Sequence, residues 1–220
     1  MKNKYLLLTL PFLAFANNAW ADETGGIDVG VKLSTLGAGV EVNYPLSSRW
    51  TVAVGLNKYS KSQIENIDGN DYDQDIDLQT LSLLFNYHPF KGTFRVTAGA
   101  MLNNNEVKLT ADPNATYEIN GTVYDSSEFG ELKASVDFEQ IAPYIGVGFG
   151  HGASSGFSFT FDVGVLMQGE PNVDMTSTGG SLSNDPTFQA NLKQEEANAQ
   201  DDIDEFTLYP VVALGLSYRF

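Results

Sequence analysis

The last ten residues, Val211–Phe220, read VVALGLSYRF. Followed back to Phe206, the even positions are Phe206, Leu208, Pro210, Val212, Leu214, Leu216, Tyr218 and Phe220, none of them charged. The odd positions are Thr207, Tyr209, Val211, Ala213, Gly215, Ser217 and Arg219, smaller or polar apart from Tyr209 and Val211. Side chains alternate between the two faces of a strand. One face of this strand therefore suits hydrocarbon, and the other suits a crowded, partly polar interior.

The same alternation recurs upstream. Phe157, Phe159, Phe161, Val163, Val165 and Met167 alternate with smaller or polar residues, as do Phe94, Val96, Ala98, Ala100 and Leu102. Shorter runs occur at Trp50–Leu56, Ala38–Tyr44, Leu81–Tyr87 and Ile145–Phe149, and Ile27–Leu33 supplies one more. The apolar parity flips between Leu33 and Leu36, which fits a tight turn at Ser34–Thr35 or a β-bulge in one longer strand; the bulge gives an odd strand count, and the even numbers of bacterial single-chain barrels favour the turn and eight strands. Short turns at 47–49, 91–92 and 152–156 alternate with long acidic stretches near 60–76, 104–136 and 169–205. This pattern predicts an all-β fold: an eight-stranded antiparallel transmembrane β-barrel with long extracellular loops, one carrying a short helix. A soluble β-sandwich also alternates. It does not account for aromatics gathered at the turn-proximal strand ends (Tyr44, Trp50, Tyr87, Phe94, Phe157, Tyr218, Phe220), where a barrel places its interfacial belt.

Residues 1–21 are read apart from the fold. Lys2 and Lys4 precede a short apolar run, and Ala19-Trp20-Ala21 is a small-x-small site. These features predict a secretory signal peptide cleaved after Ala21, leaving 22–220 as a single barrel domain. The chain has no cysteine, which excludes disulfides and thiolate metal sites. A net charge of -16 gives no electrostatic basis for binding nucleic acid. The mean hydropathy of -0.16 hides a lipid-facing surface, because alternation averages it away.

A chain ending in Phe220, preceded at every second position by Tyr218, Leu216, Leu214 and Val212, resembles the C-terminal signature of Gram-negative outer-membrane proteins. That resemblance implies that the barrel-assembly machinery reads this strand, and that outer-membrane lipid and lipopolysaccharide surround the protein. Strand number and size resemble the small OmpA-, OmpX- and OmpW-type barrels. More narrowly, TLGAGVEVNYPLSSRW (35–50), NYHPFKGTFRVTAG (86–99) and LYPVVALGLSYRF (208–220) are similar to a widespread proteobacterial outer-membrane group with no defined activity. The class hosts adhesins, structural barrels, small-solute channels and lipid-modifying enzymes. The expectation is an integral outer-membrane protein with a structural or surface-interaction role, without catalysis and without a cofactor. A passive conduit for small or hydrophobic solutes is the alternative, and a lipid-modifying enzyme comes third.

Inward charges need partners inside a sealed barrel, because unpaired burial costs several kcal/mol. Ion pairs are therefore expected to join Glu41 and Asp162 to Arg95 and Arg219. Leu84, Met101 and Leu166 either line an apolar lumen cavity or fill the core. His151 near Ser154 and Ser155 is a weak acyl-hydrolase motif, placed at the periplasmic end. Asp71-Tyr-Asp-Gln-Asp-Ile-Asp77 fails as a calcium loop, with Ile76 where glycine is needed and Ser82 where glutamate is needed. It reads as a solvated acidic loop, or as a loose site for divalent cations that bridge lipopolysaccharide. Asn120-Gly121 predicts a two-residue hairpin turn. Asp185 and Pro186 open a helix as N-cap and N1, and Asp201, Asp202 and Asp204 oppose the dipole at its far end, which predicts fraying there.

Overall fold

The computed structural model describes residues 26–67, 70–150 and 155–220; the expected cleavage site at Ala21 lies outside them, as do His151 and Ser154. Along the chain run β1 (Asp28–Ser34), β2 (Gly37–Pro45), β3 (Trp50–Ile67), β4 (Asn70–Tyr87) and β5 (Arg95–Asn103). Next come β6 (Glu106–Ala111), β7 (Thr116–Ile119), β8 (Thr122–Asp125), α1 (Ser126–Phe129) and β9 (Gly130–Asp137). The chain finishes with β10 (Ile141–Phe149), β11 (Gly156–Met167), β12 (Asn172–Gly179), α2 (Pro186–Ile203) and β13 (Leu208–Arg219).

Eight of these strands close a ring in the order β4-β3-β2-β1-β13-β11-β10-β5, with β5 returning to β4. All neighbours are antiparallel. Closure removes every edge from the hydrocarbon region, where an unpaired backbone group has no water to turn to. The outer surface is apolar around the ring, with Val31, Leu33, Val40, Val54, Leu83, Val147, Phe159, Leu214 and Leu216 all exposed. At the short-turn end the aromatics meet across strands, Trp50 on Tyr87 at 4.8 Å, Phe94 on Phe149 at 5.2 Å and Phe157 on Tyr218 at 4.9 Å. Phe220 meets Tyr218 edge-to-face at 4.9 Å, and its N–H donates to the Ile27 carbonyl at 3.1 Å.

The stretches expected as long loops are largely folded. Residues 60–67 and 70–76 are not a loop but the upper half of the β3–β4 hairpin, paired in unbroken register from Trp50↔Tyr87 to Ile67↔Asn70. Above the barrel, β4 pairs with β6, β6 with β9 and β9 with β12. β6 carries β5 onward after a break at Asn104–Asn105, and β9 and β12 continue β10 and β11 in the same way. Five of the eight barrel strands thus rise into an extracellular collar, while β1, β2 and β13 do not. The β1–β2 turn sits at Thr35–Leu36, one residue beyond the expected site, and Leu36 is buried in the lumen rather than facing lipid. Asn120 and Gly121 adopt positive φ (50° and 74°) in the β7–β8 turn, as an Asn-Gly hairpin requires. Asp185 caps α2 by accepting from the N–H groups of Thr187 and Phe188, and the helix holds to Ile203 despite its acidic end.

Candidate functional site

The lumen is built from two layers. On the periplasmic side it is polar. The Arg95 guanidinium reaches Asp162 at 2.5 Å and the Gly150 carbonyl at 3.4 Å. Glu41 meets Lys32 at 2.7 Å and accepts from Asn43 at 2.9 Å. Asn86 donates to Asn43 at 3.4 Å and accepts from Thr97 at 2.7 Å, carrying the network across β2, β4 and β5. Arg219 lies 3.9 Å from Asp28, which also accepts from Ser217 at 3.3 Å. Beside the expected Glu41, Asp162, Arg95 and Arg219, the network thus takes in Lys32 and Asp28. Lys32 and Asp28 share the inward parity of Gly30, opposite to Val29, Val31 and Leu33, and that parity was the available signal for both.

Above this layer lies an apolar cluster in which Leu36, Ala53, Leu84, Met101, Ala142, Tyr144, Leu166 and Val211 pack together, with Asn57 donating to Thr80 at 3.0 Å on its upper side. The wall opposite bulky groups is glycine. A Cβ at Gly164 would lie 2.4 Å from the Tyr144 hydroxyl oxygen, and one at Gly148 would lie 2.1 Å from an Asp162 carboxylate oxygen. The space left among these side chains is about 30 Å³, room for a water molecule. Leu84, Met101 and Leu166 fill the core. His88 is buried at the periplasmic end, its ring held by Thr51 at 3.3 Å and the Gly92 carbonyl at 3.0 Å.

The collar has its own core. Ala111, Tyr117, Ile119, Tyr124, Phe129, Phe188 and Leu192 are buried together beneath the inner face of the sheet, with Tyr72, Leu132 and Met175 against them. Tyr117 donates to the Asp71 carbonyl at 2.6 Å and accepts from the Asp112 N–H at 2.7 Å, and burial raises its pKa above the usual 10.0. α2 covers the β12 edge: Gln200 accepts from the Val173 N–H and Glu196 from the Met175 N–H, both at 3.0 Å. The Met175 bond is the main reason that Glu196 titrates below its ordinary value. The outer face is predominantly acidic, with Asp71, Asp73, Asp75 and Asp77 at alternate positions of β4 and Glu106, Asp137 and Asp174 on the strands beyond, where Lys108 and Lys133 are paired with Glu106 at 2.7 Å and Glu131 at 2.8 Å. Among the described residues, no three His, Cys, Asp or Glu side chains are arranged to hold a metal ion.

Two solved structures share this architecture. Acinetobacter baumannii CarO2 matches with a TM-score of 0.57 and 22% identity over 89% of this chain and 98% of that one. CarO of the same organism gives 0.55 and 20% over 90% and 100%. The fold is that of an outer-membrane β-barrel. No protein-family model matches the sequence, and no curated protein does. This outer-membrane barrel crosses the bilayer with strands; among the described residues no helix is long and apolar enough to do so. Val212, Leu214, Leu216 and Tyr218 of β13, and Phe220 just after it, all present exposed side chains.

Proposed function

We propose that the protein is a closed outer-membrane barrel that anchors a folded acidic surface module, serving a structural or surface-interaction role without catalysis. The observation that carries this reading is the filled lumen, with about 30 Å³ left beside Arg95, Asp162 and Tyr144. A conduit needs a continuous path, and here the apolar layer stacks directly on the charged one. The extracellular segments, by contrast, bury their aromatics in one another and present carboxylates to solvent. Outer-leaflet lipid and lipopolysaccharide cover the apolar band, and the assembly machinery takes up the strand ending in Phe220. Planar-bilayer recording tests the reading: neither the wild type nor Arg95→Ala should pass current above a detergent blank. Sustained wild-type current would overturn it in favour of the conduit.

A further inference from the structure

The short β1–β2 hairpin exposes strand edges that the fold treats unequally. Above its turn, β13 continues up to Leu208 and β3 up to Ile67, with no strand between them. The far end of the collar sheet, β12, is a third edge. Two of the three are closed. β12 has the N–H groups of Val173 and Met175 met by Gln200 and Glu196, with α2 lying along it. On β13, Pro210 has no N–H to offer, and Thr35 meets its carbonyl and both backbone groups of Val212. Its N–H donates to Val212 O at 3.1 Å, its hydroxyl donates to Pro210 O at 2.9 Å, and the Val212 N–H reaches that hydroxyl at 3.4 Å.

The third edge is open. β2 leaves β3 at Lys58, and from Tyr59 to Glu65 the strand pairs with β4 alone among the described residues. Burial changes at the same point. Alternate β3 residues are buried up to Asn57, whereas Tyr59, Ser60, Lys61 and Ser62 are exposed on both faces. These seven residues offer roughly 20 Å of unpaired backbone. Along the outer face, one strand in, run Asp71, Asp73, Asp75 and Asp77. The side chains separating them from the edge are mostly short, and Ser60 and Ser62 donate to Asp77 and Asp75. A lysine or arginine on an added strand reaches over these serines to the aspartates, while Lys61 points to the opposite face.

We propose that the β3 edge at Tyr59–Glu65 docks an extended cationic peptide segment of an extracellular partner, which adds to the collar as a further strand. Backbone hydrogen bonds supply the affinity and the aspartate row selects positive charge. An antiparallel addition descends into the gap above Thr35. A second copy brings the same row of aspartates to this edge, which repels it rather than complementing it.

This proposal rests on the surface-interaction reading and is tested on the full chain in nanodiscs. A fluorescent peptide of alternating lysine and valine is titrated by anisotropy, beside its glutamate counterpart and a version N-methylated at alternate amides. The lysine peptide should bind saturably and the glutamate peptide should not. N-methylation should weaken binding by roughly tenfold or more, through lost backbone bonds. Asp73→Asn with Asp75→Asn should weaken it by about fivefold, as expected for two exposed ion pairs. No saturable binding, equal binding of the glutamate or N-methylated peptide, or self-association through this edge would overturn the proposal. Bilayer current on the same preparation separates the two readings: a silent barrel that binds no peptide sinks the docking edge alone, whereas a conducting one sinks the closed barrel.

Discussion

The barrel and the collar share strands but invert their chemistry. On β4 the outward residues of the barrel half are Tyr87, Phe85, Leu83 and Leu81, and those of the collar half are Asp77, Asp75, Asp73 and Asp71. Inward, Asn86, Ser82 and Thr80 flank a single apolar Leu84 in the barrel half, whereas Leu78, Ile76 and Tyr72 dominate the collar half. The pleat never changes parity; the surroundings do. Hydrocarbon demands an apolar exterior and tolerates a satisfied polar interior, whereas water demands the opposite. The two halves are therefore held by different forces. The barrel depends on closure and on its lumen network, and the collar on one small aromatic core beneath an open sheet.

The largest expected effect falls on the barrel. Deleting Phe220 removes the terminal outward aromatic, its contact with Tyr218 and its backbone bond to Ile27, together with the proposed assembly signal. Most of the protein should fail to reach the folded, heat-modifiable form on gels. The double change Phe188→Ala, Leu192→Ala in the collar should leave that form intact. Equal assembly of the two variants would mean that the halves are not separable.

Phe188→Ala alone empties a fully buried position against Tyr124, at a cost of about 3–5 kcal/mol. The loss should appear as faster proteolysis at 112–130 and 180–206, with the β10, β11 and β13 strands still protected. Protection lost throughout would show that collar and barrel unfold as one unit. In the lumen, Arg95→Ala leaves Asp162 without its guanidinium and should cost about 3 kcal/mol, the low end for a buried pair because Asp162 is partly exposed. Arg95→Met with Asp162→Leu should recover most of it. If the single change costs nothing in urea titration, the pair does not hold the barrel together.

The barrel was legible because its period-two signal is redundant: each strand repeats it three to six times, and the closing aromatics mark the ends. All eight ring strands follow from it. The collar strands carry the same signal in fewer repeats, such as Val107, Leu109 and Ala111 or Leu132, Ala134 and Val136, set among acids that read as solvated loop. Their hydrophobic face becomes visible only once β4 is seen to continue beyond Thr80. The choice of lumen partners was hidden for another reason. Parity places Glu41, Asp162, Arg95 and Arg219 inside, but which charges meet depends on register around the ring. Lys32 reaches Glu41 because β1 and β2 pair Val31 with Val40.

The smallest effect concerns pH, and it separates the halves by conditions rather than by mutation. Glu196 titrates below its ordinary 4.5 chiefly because the Met175 N–H donates to it, with Lys193 assisting, and Asp125 falls below 3.8 through the Ser127 hydroxyl and N–H. A carboxyl whose pKa is lower in the folded state stabilises that state fully above its unfolded value. The contribution is lost as pH falls through the folded value. The collar should therefore loosen below about pH 4.5, with α2 lifting from β12. Tyr117 has the opposite sign, since burial raises it above 10.0 and its contribution fades only as pH climbs through that raised value. Between these limits collar stability should be flat. Glu196→Gln keeps an acceptor for the Met175 N–H but no longer titrates, so it should flatten the acid side of a proteolysis-versus-pH profile while matching wild type near neutrality. An unchanged acid limb would assign it to other carboxylates, and a loss at neutral pH would show that the charge, not the acceptor, holds the helix to the sheet edge.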